Sequence, residues 1–282
     1  MKVLLRFIII LTLALCLATR GFLCLQAADP TGAPFYAGET LVYEIKWDPP
    51  RWLIFLPATY TAGLLTLRME EMSKERGATA YRLSADVLSS GILPKIAMIS
   101  VRDHFEAWVD AQSHCLLRSA KQIREGKRKR DYEAVIMGAE RKAHVRETDV
   151  ATRTPQEKKN KDLLNIPACV QDLLSALFVI RANRFAESDI YTMDILDEDR
   201  IKTIQVRVLK KEKILLKSRW VPAVKVQTVS LFGGLFKTGG SLLVWVSDDD
   251  HKIPLKFDAQ VKYGHVFGFL KTRSLSSQTS LP

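Results

Sequence analysis

The sequence predicts a mainly β fold, a single domain of curved antiparallel sheet or open barrel with one buried helix at about residues 167–183. Three observations carry this reading. Apolar and polar residues alternate with period two through run after run, turn residues separate the runs at hairpin spacing, and one segment alone shows a helical period.

Leu41, Tyr43, Ile45 and Trp47 alternate with Val42, Glu44, Lys46 and Asp48 in the first of these runs. Tyr81, Leu83, Ala85 and Val87 do so against Arg82, Ser84 and Asp86, and Phe105, Ala107 and Val109 against Glu106, Trp108 and Asp110. Ile204, Val206 and Val208 alternate with Gln205 and Arg207. The clearest run sets Leu255, Phe257, Ala259, Val261 and Tyr263 against Lys256, Asp258, Gln260 and Lys262. Strands with one apolar and one wet side belong to antiparallel sheets, because parallel strands are covered on both faces. Glu125-Gly126, Gly233-Gly234, Gly239-Gly240, Ser247 to Asp250 and Tyr263-Gly264 supply the turns.

The helical segment runs from Pro167 to about Asn183. Pro167 suits a first helical turn. Val170, Leu173, Leu174, Ala176, Leu177, Phe178 and Ile180 cover more than half of the wheel and leave Gln171, Asp172 and Ser175 on a narrow polar side. Such a helix plugs or caps a sheet. Asp149 to Asp162 is polar and aperiodic, which predicts a mobile loop, and residues 274–282 read as a disordered tail.

The amino terminus reads as an export signal. Lys2 and Arg6 precede the apolar run Phe7 to Leu17, and the small residues Ala27 and Ala28 follow. Residues 1–27 are the expected signal peptide, cleaved after Ala27, which leaves 28–273 as the domain. Arg20 and Gly21 interrupt the apolar run short of the ~20 residues of a spanning helix. A retained N-terminal membrane anchor is the competing reading, since apolar character resumes from Gly21 to Leu25. Leu15 and Leu23 stand before Cys16 and Cys24, where lipid attachment favours a small residue. The expected location is the periplasm of a Gram-negative cell.

The formal net charge of +11 falls to +8 without residues 1–27. That basic balance suits anionic lipid headgroups or an anionic envelope polymer, while export disfavours nucleic acid. Of the four cysteines only Cys115 and Cys169 survive processing. Separate buried thiols and a disulfide are both compatible with their spacing.

No catalytic residues are expected, and the chain reads as a non-enzyme. H-E-x-x-H, G-x-S-x-G and a glycine-rich phosphate loop are all missing. His104, His114, His144, His251 and His265 are scattered, so neither a metal nor another cofactor is expected. Asp248-Asp249-Asp250 reads as a hairpin turn rather than a calcium loop. Lys127, Arg128, Lys129 and Arg130 form the densest basic cluster, a candidate for an anionic surface that a solvated strand end explains equally well. Three apolar segments lack strand alternation: Arg51 to Pro57, Gly91 to Ile99 and Leu231 to Phe236. Gathered at one rim, their Trp52, Phe55, Ile96, Phe232 and Phe236 would form the mouth of an apolar ligand site. The competing reading folds each segment onto the core.

Three stretches carry a family resemblance. Phe35-x-x-Gly38-Glu39-x-Leu41-x-Tyr43-x-Ile45-x-Trp47, with Ala62-Gly63, opens the mature chain. Val170-Gln171-Asp172-Leu173-Leu174-Ser175-Ala176-Leu177, ending at Arg181, lies in the centre. Trp245-Val246-Ser247-Asp248-Asp249 followed by Ile253-Pro254, with Gly264 beyond, lies near the end. In this order they resemble the bacterial domain-of-unknown-function family 3108. An apolar insertion around Trp52 to Pro57 departs from the family's shorter pattern. The resemblance implies an exported, mostly β protein of unassigned activity and carries over no catalytic residue. On these matches Gly38 and Gly63 serve turns or close backbone approach, Asp172 sits in the first helical turn, Arg181 meets the helix C-terminus or a partner carboxylate, and Trp245 is core.

The function expected from all of this is the binding of a lipid or amphipathic envelope component in the concave face of the sheet. The alternative is a structural or protein-interaction module of envelope assembly that engages an envelope protein partner.

Overall fold

The computed structural model describes residues 36–50, 59–91, 100–183, 185–231, 240–261 and 264–276. The strands are β1 (Glu39–Asp48), β2 (Tyr60–Met69), β3 (Ser73–Glu75), β4 (Ala78–Ser89) and β5 (Arg102–Asp110), followed by β6 (Leu116–Glu125), β7 (Arg128–Met137), β8 (Lys142–Asp149) and β9 (Gln156–Leu164). After helix α1 (Leu173–Ala182) come β10 (Ile190–Asp197), β11 (Arg200–Leu216), β12 (Arg219–Leu231), β13 (Gly240–Ser247), β14 (Pro254–Val261) and β15 (Gly264–Leu275).

All of these strands join one antiparallel sheet in the order β10-β11-β12-β13-β14-β15-β1-β2-β4-β5-β6-β7-β8-β9, with β3 paired to β4. The first described strand lies in the middle of the sheet. It pairs on one side with β2 and on the other with β15, Glu39 opposite Leu275 and Asp48 opposite His265. The order ends at β10 and β9, so the sheet is curved and not closed into a barrel.

The alternation anticipated in the sequence builds the core. Leu41, Tyr43, Leu67, Met69, Leu83, Ala85, Ala107, Val109, Ala134, Ile136, Ala143 and Val145 form one continuous buried cluster, two residues apart along each strand. A second cluster joins Ile204, Val206, Val208, Val224, Val226, Val244 and Val246. Helix α1 divides the two: Leu174 and Phe178, one turn apart, enter the first, while Ala176 and Ile180 enter the second. Gly63 lies where an added Cβ would come within 2.1 Å of the Leu88 carbonyl oxygen, so the β2–β4 pairing needs a residue without one. Gly38, at φ +79°, turns the chain into β1.

The helix is shorter than its apolar stripe predicts. It begins at Leu173 because Asp172 caps it, accepting from the Ser175 backbone N–H, while the Ser175 hydroxyl accepts from the Asp172 N–H. Pro167 therefore lies before the helix, and Asp172 is its cap rather than a first-turn residue. The polar side of the wheel is also reversed: Gln171, Asp172 and Ser175 are buried, and Leu173 is 44% exposed. Residues 169–172 form a strap across the sheet. Leu116 N–H donates to Val170 O on one side, while Gln171 N–H donates to Asp194 O and Leu196 N–H to Gln171 O on the other. Cys115 and Cys169 form a disulfide that fastens the strap to the start of β6.

The expected mobile loop at 149–162 contains a strand instead. β9 pairs with β8 from Lys142–Leu164 to Asp149–Gln156, and only the residues between the two strands turn. An edge strand exposed on most of its positions needs no apolar face, which is why periodicity missed it. Ser274 and Leu275, expected in the tail, belong instead to β15 and pair with Thr40 and Glu39, while residues 277–282 lie outside the described residues. The Asp248 to Asp250 turn is as expected: Asp249 accepts from Ser247 Oγ and from the His251 and Lys252 N–H groups.

Candidate binding rim

Strand register sorts the connections onto two rims. At one rim β1 leaves at Asp48 and β2 enters at Tyr60, opposite Trp47. Beside them β4 leaves at Ser89, opposite Gly63, and β5 enters at Arg102, opposite Leu88. On the other flank Leu231 pairs with Gly240 and Val261 with Gly264. The ends that flank all three apolar segments of the sequence thus point the same way. Trp52, Phe55, Ile96, Phe232 and Phe236 themselves lie outside the described residues. Trp47 and Tyr60 meet at this rim with ring centroids 6.2 Å apart.

The basic cluster belongs to the same rim. Glu125 pairs with Arg128 across the β6–β7 turn, and the isolated bridge Val101–Glu125 ties that turn to the entry of β5. Within the cluster the four cations differ. Lys127 and Lys129 are exposed and make no ion pair among the described residues. Arg128 donates to Glu125 at 3.0 Å and to the Tyr132 hydroxyl at 3.2 Å. Arg130 is held by Glu147 at 3.3 Å and by Asp149.

An acidic tip that the sequence reading did not single out faces this cluster. The β10–β11 turn presents Asp197, Glu198 and Asp199 to the far end of the sheet. Lys121 on β6 meets Asp197 at 3.0 Å, while Lys159 and Lys161 on β9 meet Asp199 at 3.3 and 2.9 Å. Glu198 lies 3.6 Å from Arg128 and 3.8 Å from Lys159. Two lysines beside Asp199 hold its carboxyl below the usual range. The two ends of the sheet are thus joined by ion pairs where a barrel would use backbone hydrogen bonds. The only sequence signal was opposite charge in two polar turns, and their pairing is non-local.

Between the rims, among the described residues, helix α1, the strap and the two clusters pack against the inner side of the sheet, and a concavity of about 10 Å³ lies by Lys121, Tyr132 and Glu198. A shallow one of about 200 Å³ lies outside, by Arg76, Ile136 and Met137. Both are smaller than the roughly 300 Å³ at which pockets for small molecules begin. Among the described residues no three His, Cys, Asp or Glu side chains group as a metal site.

At the opposite rim Glu39 and Arg181 form a buried ion pair at 2.6 Å. Arg273 Nε adds a second donor to Glu39 at 2.9 Å, and Arg181 Nη2 reaches the His251 carbonyl oxygen at 3.3 Å. Tyr43 donates to Pro254 O at 2.7 Å, and its burial pushes the hydroxyl pKa up. Trp245 is buried, with its Nε1 donating to Glu212 and with Lys225 and Lys256 beside its ring. Of these, Glu39, Tyr43, Arg181, Trp245 and Pro254 belong to the stretches of the family resemblance, and the roles they fill belong to the scaffold.

No curated protein matches the chain. Among solved structures it is similar to a crystal structure of a beta-barrel-like protein of domain of unknown function DUF1849 from Brucella abortus. The TM-score is 0.56 at 12% identity, covering 85% of this chain and 98% of that one, a likeness of fold alone. Residues 42–271 match the family described as Protein of unknown function (DUF3108), and the chain belongs to that family.

Proposed function

We propose that this is an exported envelope protein that binds a lipid or other amphipathic envelope component at the rim where β1–β2, β4–β5 and β12–β13 connect. One observation carries the reading: register brings the ends flanking three apolar connections to the rim that also bears Lys127 and Lys129. Connections of apolar sequence beside cations that make no ion pair among the described residues suit a molecule with an acyl portion and an anionic head. Export is supported by the N-terminal pattern of charged, apolar and small residues and by the Cys115–Cys169 disulfide, which persists in oxidising compartments. Helix α1 and the strap, packed against the inner side of the sheet, favour its edge over its middle as the place of binding.

Native mass spectrometry of the protein prepared without detergent, then offered envelope phospholipids, tests this. Bound lipid in the wild type, lost in Trp52→Ser/Phe55→Ser/Phe236→Ser, is the expected result. A wild type that takes up no lipid would overturn it. The second reading, a protein-interaction module, rests on the outer edge of β9, which has no strand beside it among the described residues. A stoichiometric protein partner displaced by Asn160→Pro on that edge would favour it.

A further inference from the structure

We propose that the tip of the β11–β12 hairpin, at the rim opposite the binding rim, is a docking point for an anionic bilayer surface. Leu215 and Trp220 are a directly opposed cross-strand pair and are 53% and 67% exposed. Scattered single apolar residues on a surface are ordinary, but an adjoining Leu–Trp pair at a hairpin tip is a formed patch. The other side of the hairpin is already satisfied: Ile214, Leu216 and Val221 pack against the larger core cluster. Core packing therefore accounts for the hairpin without Leu215 and Trp220.

The turn itself projects the patch. Lys217 and Ser218 both have positive φ, 47° and 65°, the twist of a tight two-residue hairpin turn. Around the patch stand Lys213, Lys217 and Arg219, all exposed and without an ion pair among the described residues. Lys213 shares the face of Leu215, two positions along β11. The nearby acids are engaged elsewhere, Glu212 with Trp245 Nε1 and Lys210, and Asp248 with Lys211. The tip is thus an apolar pair ringed by uncompensated positive charge.

That composition selects a membrane surface over a protein. A stable protein interface covers roughly 800 Å² per partner, far more than two side chains offer. Interfacial binding makes no such demand: Trp favours the headgroup level, Leu adds apolar insertion, and each nearby Lys or Arg adds attraction to anionic lipid. The contact is expected to be weak alone and salt-sensitive. It would hold the protein at the membrane with its other rim turned away.

Flotation of the purified protein with vesicles of phosphatidylcholine and phosphatidylglycerol tests this, against vesicles of phosphatidylcholine alone. The wild type should float with the anionic vesicles at low salt, and about tenfold less with Leu215→Ser/Trp220→Ser or with Lys213→Ser/Lys217→Ser/Arg219→Ser, the scale of losing a few interfacial contacts. The substituted side chains are exposed, and an unchanged thermal melt checks that each variant is folded. Failure of the wild type to float, equal flotation with phosphatidylcholine alone, or equal flotation of the tip variants would each overturn the proposal.

Discussion

Glu39 and Arg181 meet at 2.6 Å across 142 residues of sequence, and both side chains are 1% exposed. The pair joins β1 to the last turn of helix α1, so it fixes how α1 lies in the curve. Arg181 also places its guanidinium 5.5 Å from the centre of the Phe178 ring, which links the ion pair to the apolar core.

Arg181→Met should cost about 3–5 kcal/mol, the range for removing one partner from a buried pair. The loss comes from the Glu39 carboxylate, which keeps Arg273 as its remaining cation. Glu39→Leu/Arg181→Met removes both buried charges and should recover part of the loss. Urea unfolding of the wild type, the single variants and the double variant measures this. A double variant as unstable as the sum of the singles would contradict it.

Reduction of Cys115–Cys169 should destabilise the protein by about 4 kcal/mol, the chain-entropy value for a closed loop of this length. The strap would lose its covalent tie to β6 but keep its hydrogen bonds to β6 and β10. The expected outcome is a lower urea midpoint with a folded native baseline. Measuring the midpoint with and without reductant checks it, and an unchanged midpoint would count against the strap as a stabilising element.

The joint between Asp199 and its lysines should make stability fall in acid. Its carboxyl is held below the usual 3.8 in the folded protein, so its contribution is present above that value and is lost as pH falls through the lowered one. Asp172 has the opposite sign, because burial raises its carboxyl and its contribution is lost as pH rises through the raised value. Asp199→Asn should therefore flatten the acid side of the stability profile, and Asp172→Asn should leave that side steeper. Urea midpoints from neutral pH down to about pH 3 read both effects.

How far the sequence disclosed this arrangement depends on whether a feature is local and periodic. Leu41, Tyr43, Leu83, Ala85, Ala107 and Val109 were legible as core because alternation along a strand states which side is buried. The helix was legible from Leu174 to Ile180, but its start was not. Pro167 suits a first helical turn and Val170 continues the apolar stripe, so only the Asp172–Ser175 cap and the strap's long-range hydrogen bonds decide the boundary. β9 escaped notice because Gln156 to Asp162 is polar on both faces, its partner being β8 and its lysines facing an acidic turn. Glu39 stood in a recognisable motif, yet nothing local marked it as buried opposite Arg181. The rim emerged only from register, since the flanks of three distant segments meet through strands far apart in sequence.

Photo-crosslinking in cells tests the proposed binding rim most directly. A photoreactive amino acid at position 52, 96 or 236 should yield adducts carrying lipid mass, with none from position 160, exposed in the middle of β9 and away from both rims. Adducts containing only protein from the rim positions, or lipid adducts equal in yield from position 160, would contradict the account.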